Sequence, residues 1–553
     1  MTGLHRGNVV SSNLRWACRG MFRTNRMLAP MLLLSACSGG GGGGVVSPAP
    51  TPTPTASTSP SPSPTPSPTS ALSVRVAPSS FSLPTDATRH YGCQVTGSND
   101  QNCTWTVQEA NGGTVSAAGI YAAPAVPGVY HLVARSVADP NATATATITV
   151  TTPVNDRPWV TGYYLGYYWD WSYPPDKVDV TALTHLMFAR VAPGSGTLGG
   201  QAGQVVKGAG TAHDAGLSPD GVRSVEDYLV KRAHDAGKKA LLMLGGEGDG
   251  DGFLRSSTDA VRPTFVRNLV DYLVAHDYDG IDVDWEDRLE GSAALGVTGE
   301  EARRRAIALI TGLRAEANAR PRYQNGRRFL ITFPGYLVSI NDLPKDGPRE
   351  GMVEQWQADI ANLVDQYNVM SYGVGSAWNQ AGWFSWFSSP IYGATGTTPR
   401  DLETSVRAYV KTGVPRSKIG IGIGFYGIYY GPTITGPRQD TEHNNIFEIQ
   451  DTPLRYSELV RWGYLNRGTY SWDETSQVGY RSYPGGFSPA GSGLSQAGFL
   501  SYEDELSIAA KGLYVRQTGL GGAIIWAINY DHMPDGTNPL LSAVKRNFRT
   551  NAP

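Results

Sequence analysis

The stretch from residue 156 to residue 553 alternates apolar strand-like runs with amphipathic helix-like segments, and this alternation restricts the folds open to the chain. Helical periodicity lies between the runs, for example at Phe265, Leu269, Tyr272 and Leu273. Eight strands with intervening helices close most simply as a parallel (β/α)8 TIM barrel, an α/β fold that places its chemistry at the carboxyl ends of the strands. The eight strand-like runs are residues 159–166, 183–191, 240–246, 278–286, 329–334, 366–372, 419–425 and 523–529.

The fourth run, Y-D-G-I-D-V-D-W-E at residues 278–286, carries four carboxylates. In a strand, Asp282, Asp284 and Glu286 face one side, and the apolar residues between them face the other. Successive carboxylates on that side have backbones about 7 Å apart, close enough to share a proton and to separate their pKa values. Glu286 is the last carboxylate of the row and is predicted to be the exposed catalytic group. A calcium loop is the alternative, but it needs a turn-forming glycine in its middle, whereas these acids alternate with Ile, Val and Trp.

The first 38 residues are predicted to be an export signal, because Arg23 and Arg26 precede a short apolar run that ends in L-S-A-C at Cys37. The L-S-A-C run resembles the lipobox of bacterial lipoproteins, which implies a lipid anchor on Cys37 and attachment to the bacterial cell envelope or cell surface. An ordinary cleaved signal, with release as a secreted protein, is the alternative. The Gly/Pro/Ser/Thr-rich residues 39–70 are predicted to form an extended linker.

Residues 71–153 change to short alternating segments broken by Gly, Pro, Asn and Asp, a pattern typical of a small all-β sandwich. The runs T-W-T-V at 104–107 and G-I-Y-A-A-P at 119–124 resemble bacterial immunoglobulin-like (Ig-like) modules. Cys93 and Cys103 both lie here, and in an exported chain they are predicted to form a disulfide. The module is interpreted as a spacer, with binding of a surface polymer as the alternative.

The acidic run matches the D-x-x-D-x-D-x-E signature of glycoside hydrolase family 18, the chitinase-like enzymes, with Asp279, Asp282, Asp284 and Glu286 at its acidic positions. The resemblance implies a family 18 barrel over residues 156–553, with a short α+β insertion at about 427–499, where the gap is too long for a loop and one helix. Other segments similar to the family follow in barrel order: V-T-G-Y-Y at 160–164, L-T-H-L-M-F-A at 183–189, I-G-I-G-F-Y-G at 421–427 and G-L-G-G-A-I-I-W at 519–526.

The resemblance also implies a retaining reaction in which the 2-acetamido oxygen of the substrate is the nucleophile. Glu286 then donates the proton, Asp284 orients the acetamido group, Asp282 shifts a proton relative to Asp284, and Tyr372 donates a hydrogen bond to the acetamido oxygen. The partner implied is chitin or another polysaccharide that contains N-acetylglucosamine. The predicted substrate-binding residues are Trp526, Tyr163, Phe188, Met370, Trp378 and Asp279.

Three of these assignments have structural alternatives. Trp526 is predicted to form the floor beneath the sugar, but it also suits barrel core. Trp378 lies in a Gly/Ser-rich loop together with Trp383 and Trp386. All three tryptophans suit stacking on sugar units and packing of the loop about equally. Asp279 is separated from Asp282 by an odd number of positions, so in a strand its side chain faces the side opposite to the acidic row. A structural role at the start of the strand therefore fits it better.

The sequence departs from the family pattern at two positions. Met243 stands where a hydroxyl usually supports the acids near Asp282, and Gly373 stands where an acid usually follows Tyr372. We interpret both as adjustments of rate rather than inactivation, because Asp284, Glu286 and Tyr372 remain.

The amino-acid composition and the residue spacing bear on the partners and cofactors of the protein. The 46 Lys and Arg nearly balance the 48 Asp and Glu, so the charge gives no support to a nucleic-acid partner. No residue cluster has metal-ligand spacing, and we predict a monomer without metal or cofactor. The leading interpretation is a chitinase that cuts β-1,4-linked N-acetylglucosamine polymers. The alternatives are an endo-β-N-acetylglucosaminidase acting on glycoprotein glycans or peptidoglycan, and a non-catalytic chitin-binding lectin, against which the presence of Glu286 argues.

Overall fold

A computed structural model of the protein describes residues 72–85, 87–208, 211–342, 353–375, 383–441, 447–486 and 497–549. The predicted export signal (1–38), its Cys37, the predicted linker (39–70) and Trp378 lie outside these residues. Within the described ranges, no helix is both long enough and apolar enough to cross a bilayer.

Within the described ranges, strands occur from residue 73 onward and α-helices from residue 225 onward. The strands are β1 Ser73–Ala77, β2 Ser80–Pro84, β3 Thr88–His90, β4 Gly92–Thr96, β5 Cys103–Val107, β6 Thr114–Val115, β7 Ile120–Ala122, β8 Gly128–Ser136, β9 Thr143–Thr151, β10 Trp159–Leu165, β11 His185–Pro193, β12 Val205–Lys207, β13 Lys239–Gly245, β14 Gly280–Asp284, β15 Gly291–Ser292, β16 Val297–Thr298, β17 Leu330–Gly335, β18 Gln366–Val369, β19 Ile419–Gly424, β20 Tyr426–Gly431, β21 Phe447–Arg455, β22 Thr469–Asp473, β23 Val478–Tyr483, β24 Gly498–Tyr502 and β25 Gly522–Trp526. The helices are α1 Val225–Asp235, α2 Gly250–Ser256, α3 Arg262–Ala275, α4 Gly299–Asn318, α5 Gln355–Leu363, α6 Leu402–Lys411, α7 Tyr456–Arg461, α8 Glu505–Thr518 and α9 Pro539–Val544.

Eight parallel strands close into a barrel, in the order β10, β11, β13, β14, β17, β18, β19 and β25, with β25 pairing back to β10. Each of the eight predicted runs overlaps one of these strands, and α3 contains the predicted periodic segment. The prediction of a (β/α)8 barrel is therefore confirmed.

The acidic strand β14 is buried along its whole length. Its first residue must be a glycine, because a Cβ atom at Gly280 would lie 2.2 Å from the carbonyl oxygen of Leu330 on the next strand. Beyond the strand, Trp285 is fully buried and stacks on Phe253 with ring centroids 4.7 Å apart. The hydroxyl of Tyr336 donates to the carbonyl oxygen of Glu286, so the backbone that carries this carboxyl is fixed on both sides.

The predicted α+β insertion is also present between β19 and β25. Strands β20 to β24 form a five-stranded antiparallel sheet in the order β21, β20, β24, β23 and β22, accompanied by α7. Trp386 is buried in the same apolar cluster as Ile428 and Phe499 of this sheet. The packing interpretation therefore applies to Trp386, rather than sugar stacking.

The all-β region before the barrel contains a four-stranded sheet of β2, β9, β8 and β5, a three-stranded sheet of β3, β7 and β6, and the pair β1 and β4. Its core includes the fully buried Tyr121, Leu132 and Ile148. Cys93 and Cys103 form a disulfide with their Cα atoms 6.4 Å apart, as predicted.

This β-region packs directly on the barrel through α8. Leu513 of α8 belongs to the apolar core of the β-region and is only 4% exposed. Polar contacts surround it: Arg89 donates to Gln477 over 3.1 Å, and Thr88 donates to Asn547 over 3.1 Å. Helix α8 therefore contributes side chains to the apolar core of the β-region as well as to that of the barrel.

Candidate active site

A cavity of about 300 Å³ opens where the barrel strands end, and the acidic row faces it. This position agrees with the general placement of catalytic groups in such barrels. The cavity is lined by Tyr163, Tyr167, Arg190, Met243, Gly246, Glu247, Asp284, Glu286, Pro334, Asn368, Met370, Tyr372, Tyr426, Ile524 and Trp526.

Asp282 is the innermost acid and is only 1% exposed. Its Oδ2 atom accepts a hydrogen bond of 2.6 Å from the hydroxyl of Tyr163, and its Oδ1 atom accepts one from Thr332. Burial raises the pKa of Asp282 to about 6, while the two hydrogen bonds act in the opposite direction. This carboxyl is therefore fixed in orientation and titrates near neutrality.

Asp284 and Glu286 form a hydrogen-bonded carboxyl pair at the outer end of the row. Burial and the charges of Glu286 and Asp282 raise the pKa of Asp284 well above its usual range. Burial and the charge of Glu247 raise the pKa of Glu286 to about 7. Two carboxyls joined by a hydrogen bond must share at least one proton, so the pair holds a proton up to about neutral pH.

The predicted contacts Tyr163, Met370, Tyr372 and Trp526 all line the cavity. Trp526 is partly exposed, and its ring centroid lies 5.6 Å from that of Tyr163, so the two rings form a continuous apolar surface. Desolvation keeps the pKa of the Tyr372 hydroxyl well above its usual value, which leaves it a hydrogen-bond donor at all ordinary pH values. The cavity thus combines an apolar floor, a hydroxyl donor and a proton-holding carboxyl pair.

Met243 pairs in register with Asp282 across β13 and β14, and it also lines the cavity. Both oxygens of Asp282 already accept hydrogen bonds, from Tyr163 and Thr332. The hydroxyl that Met243 replaces is therefore not needed to satisfy this carboxylate. Gly373 adopts a φ of 63°, a conformation that glycine reaches without steric cost.

Two residues predicted as substrate contacts, Asp279 and Phe188, lie outside the cavity lining. Asp279 lies at the amino end of β14, where it accepts hydrogen bonds from His234 over 2.8 Å and from the backbone nitrogen of Ala240 over 3.0 Å. Its role is structural, as its parity indicated. Phe188 pairs in register with Tyr164 and is buried beside it, on the opposite side of the strand from the residues that face the cavity.

The sequence analysis missed several residues of the cavity, most importantly Arg190 and Glu247. Arg190 forms an ion pair with the fully buried Asp249 and donates to the carbonyl oxygen of Gly245 over 2.7 Å. Glu247 is the second residue after the end of β13. Both are charged residues at or near the carboxyl end of a predicted strand, and that position was the signal that could have identified them.

The described part of the chain contains no group of three or more His, Cys, Asp or Glu side chains arranged to hold a metal ion. The absence of a cofactor remains a prediction.

Comparisons with known proteins agree with this geometry. The family model "Glycosyl hydrolases family 18" matches residues 163–531, about two-thirds of the chain. The chain is 24% identical over 431 residues to Endochitinase 1 of Metarhizium robertsii, covering 71% of this chain and 89% of that protein.

Solved structures show the same barrel. A group IV chitinase from Ostrinia furnacalis superposes with a TM-score of 0.54 at 19% identity, covering 71% of this chain and all of that one. A class V chitinase from Nicotiana tobaccum in complex with NAG4 superposes with a TM-score of 0.51 at 18% identity, covering 72% of this chain and all of that one. These likenesses concern the fold, whereas the family model covers the cavity and the acidic row together. The chain therefore belongs to glycosyl hydrolase family 18 and is a chitinase-like glycoside hydrolase.

Proposed function

We propose that the protein hydrolyses chitin and related β-1,4-linked N-acetylglucosamine polymers with retention, using the 2-acetamido oxygen of the substrate as nucleophile. The observation that carries the proposal is the carboxyl pair of Asp284 and Glu286, which holds a proton at neutral pH in a cavity that also offers Tyr372 and Trp526. The endochitinase relative and the NAG4 complex support the same substrate class.

The reaction needs a proton at the leaving oxygen and a nucleophile at the anomeric carbon. Glu286 gives its proton to the glycosidic oxygen as that bond breaks, and the acetamido oxygen forms a bond to the anomeric carbon. Asp284 passes its proton to Asp282 and, as a carboxylate, stabilises the positive charge that develops on the acetamido group. Tyr372 donates a hydrogen bond to the acetamido oxygen. A water molecule then forms a bond to the anomeric carbon as the bond from that carbon to the acetamido oxygen breaks. Glu286 takes a proton from this water, and Asp282 returns its proton to Asp284, which restores the starting state.

Cleavage of soluble chitooligosaccharides tests this proposal, with fully deacetylated oligosaccharides of the same lengths as the control. Because the nucleophile belongs to the acetamido group, we expect cleavage only where an acetylated sugar precedes the broken bond. Binding without cleavage would favour a lectin. Cleavage of glycoprotein glycans or peptidoglycan in place of chitooligosaccharides would favour the endo-β-N-acetylglucosaminidase alternative.

The pH dependence of kcat/KM follows from the raised pKa of Glu286. This group acts as an acid and must be protonated, so activity should be present below about pH 7 and fall as the pH rises through that value. Initial rates between about pH 5 and pH 9 measure this alkaline limb. A rate that stays constant to pH 9 would show that Glu286 is not the proton donor.

We also propose that the protein is exported and acts as a monomer anchored to the cell envelope by a lipid on Cys37, with the β-region at 71–153 as an Ig-like spacer. The L-S-A-C run and the linker composition support the anchor, and the β-sheets and disulfide support the spacer. Mass spectrometry of the mature N-terminus and fractionation of a Cys37→Ser variant test the anchor. A mature chain that begins elsewhere without lipid would favour the secreted alternative.

A further inference from the structure

Glu247 occupies a fixed place at the rim of the catalytic cavity. The backbone nitrogen of Gly246 donates to the carbonyl oxygen of Asp284 over 2.8 Å, which ties the loop to the end of the acidic strand. The backbone nitrogen of Asp249 closes a turn onto the carbonyl oxygen of Gly246 over 3.1 Å. Glu247 lies within this turn, and its side chain both lines the cavity and remains exposed.

The other end of the turn is anchored by Asp249, which is fully buried. Its carboxylate pairs with Arg190 and accepts a hydrogen bond of 2.7 Å from the backbone nitrogen of Thr197. Among the described residues that line the cavity, Arg190 is the basic one, and Asp249 already neutralises it. The charge of Glu247 is therefore not balanced by a cation of the lining, and this part of the cavity favours a cationic ligand group.

The position of Glu247 relative to the reaction follows from the acidic row. Glu286 protonates the oxygen that leaves with the departing sugar, so groups beside Glu286 on the outer side of the row face that sugar. The charge of Glu247 acts on Glu286, whereas the charges that act most strongly on Asp284 come from Glu286, Asp282 and Arg190. Glu247 thus shares the cavity with the proton donor Glu286 and acts on it, and Glu286 serves the leaving-group side of the bond.

We propose that Glu247 determines specificity on the leaving-group side of the cleaved bond, where it favours a glucosamine unit with a protonated 2-amino group over N-acetylglucosamine. The natural substrate class is then a partly deacetylated chitin, in which an acetylated sugar supplies the nucleophile and a deacetylated neighbour leaves. This inference rests on the proposed function, because it requires the acetylated sugar on the other side of the bond.

Digestion of a chitosan with about half of its units acetylated tests the inference at about pH 6, where amines of this kind are protonated. Each cleavage creates one new reducing end, from the nucleophile side, and one new non-reducing end, from the leaving-group side. NMR and mass spectrometry of the products identify both. We expect acetylated reducing ends throughout. At the non-reducing ends we expect about five glucosamine units for each N-acetylglucosamine, where an unselective enzyme would give about one to one, and salt should weaken this enrichment.

The variants Glu247→Gln and Glu290→Gln supply the matched comparison, because Glu290 is an exposed glutamate outside the cavity lining. We expect Glu247→Gln to abolish the enrichment and Glu290→Gln to keep it. The enrichment is a ratio within one digest, so a change in overall rate does not affect it. Reducing ends that are not acetylated, or no products, would refute the proposed function. Acetylated reducing ends without glucosamine enrichment, or enrichment that survives in Glu247→Gln, would refute the role of Glu247 alone.

Discussion

Replacing Glu286 with glutamine should lower kcat on soluble chitooligosaccharides about a hundredfold or more, while binding of the same oligosaccharides persists. The amide keeps the size and shape of the side chain but has no proton to give at neutral pH, and general acid catalysis contributes about 10²- to 10⁴-fold. Initial rates give kcat, and titration calorimetry with the inactive variant gives Kd.

The structure also predicts the stability of this variant. Glu286 lies among Glu247, Asp282 and Asp287, whose charges disfavour its ionised form, while the hydrogen bond with Asp284 acts in the opposite direction. Removal of one carboxylate relieves that repulsion, so the Tm of Glu286→Gln should equal or exceed that of the parent. Glu290→Gln is the matched control and should keep full activity. If Glu286→Gln retained more than a tenth of the parent kcat, another group would have to deliver the proton.

Replacing Asp284 with asparagine should also lower kcat about a hundredfold, but for a different reason. The negative charge that stabilises the acetamido group in the transition state is lost, and one such interaction in a buried site contributes about 10²- to 10³-fold. Because the charge develops during the reaction, the loss should appear in kcat, with KM changed less than about threefold. Steady-state kinetics on an oligosaccharide series separates the two parameters.

Asp235→Asn is the control for this variant, since Asp235 is an exposed residue at the end of α1 that pairs with Lys231 on the surface. It should leave both kcat and KM unchanged. A loss in Asp284→Asn that appeared in KM alone would mean that Asp284 only binds the substrate. Full activity would exclude the substrate-assisted reaction as proposed.

The barrel could be predicted from the sequence because parallel strands that are buried on both faces appear as continuous apolar runs. Each of the eight predicted runs overlaps a strand of the barrel. The acidic row could be predicted because strand parity places Asp282, Asp284 and Glu286 on one face. Parity also indicated that Asp279 stands apart, and the structure places it in an ion-pair cluster at the amino end of β14.

The remaining features depend on contacts that sequence patterns do not encode. Thr332 supports Asp282 from the neighbouring strand β17, a pairing that only the barrel register reveals. Arg190 reaches the cavity through its ion pair with Asp249, 59 residues away along the chain. Phe188 is predicted as a substrate contact and lies in the segment 183–189, which resembles the family. Neighbouring residues of a strand face opposite sides, so an error of one position is enough to place the wrong side chain in the cavity.

The sharing of Leu513 between α8 and the β-region has a consequence for how the molecule unfolds. Leu513 belongs to helix α8 of the barrel, but its side chain packs in the apolar core of the β-region. Unfolding of either part would therefore expose apolar surface of the other, which couples the two unfolding equilibria. We therefore expect the catalytic barrel to be less stable without the β-region. Excision at residue 153 would leave a water-exposed apolar face on α8, so the β-region serves as a cofolding partner of the barrel as well as its neighbour in the chain.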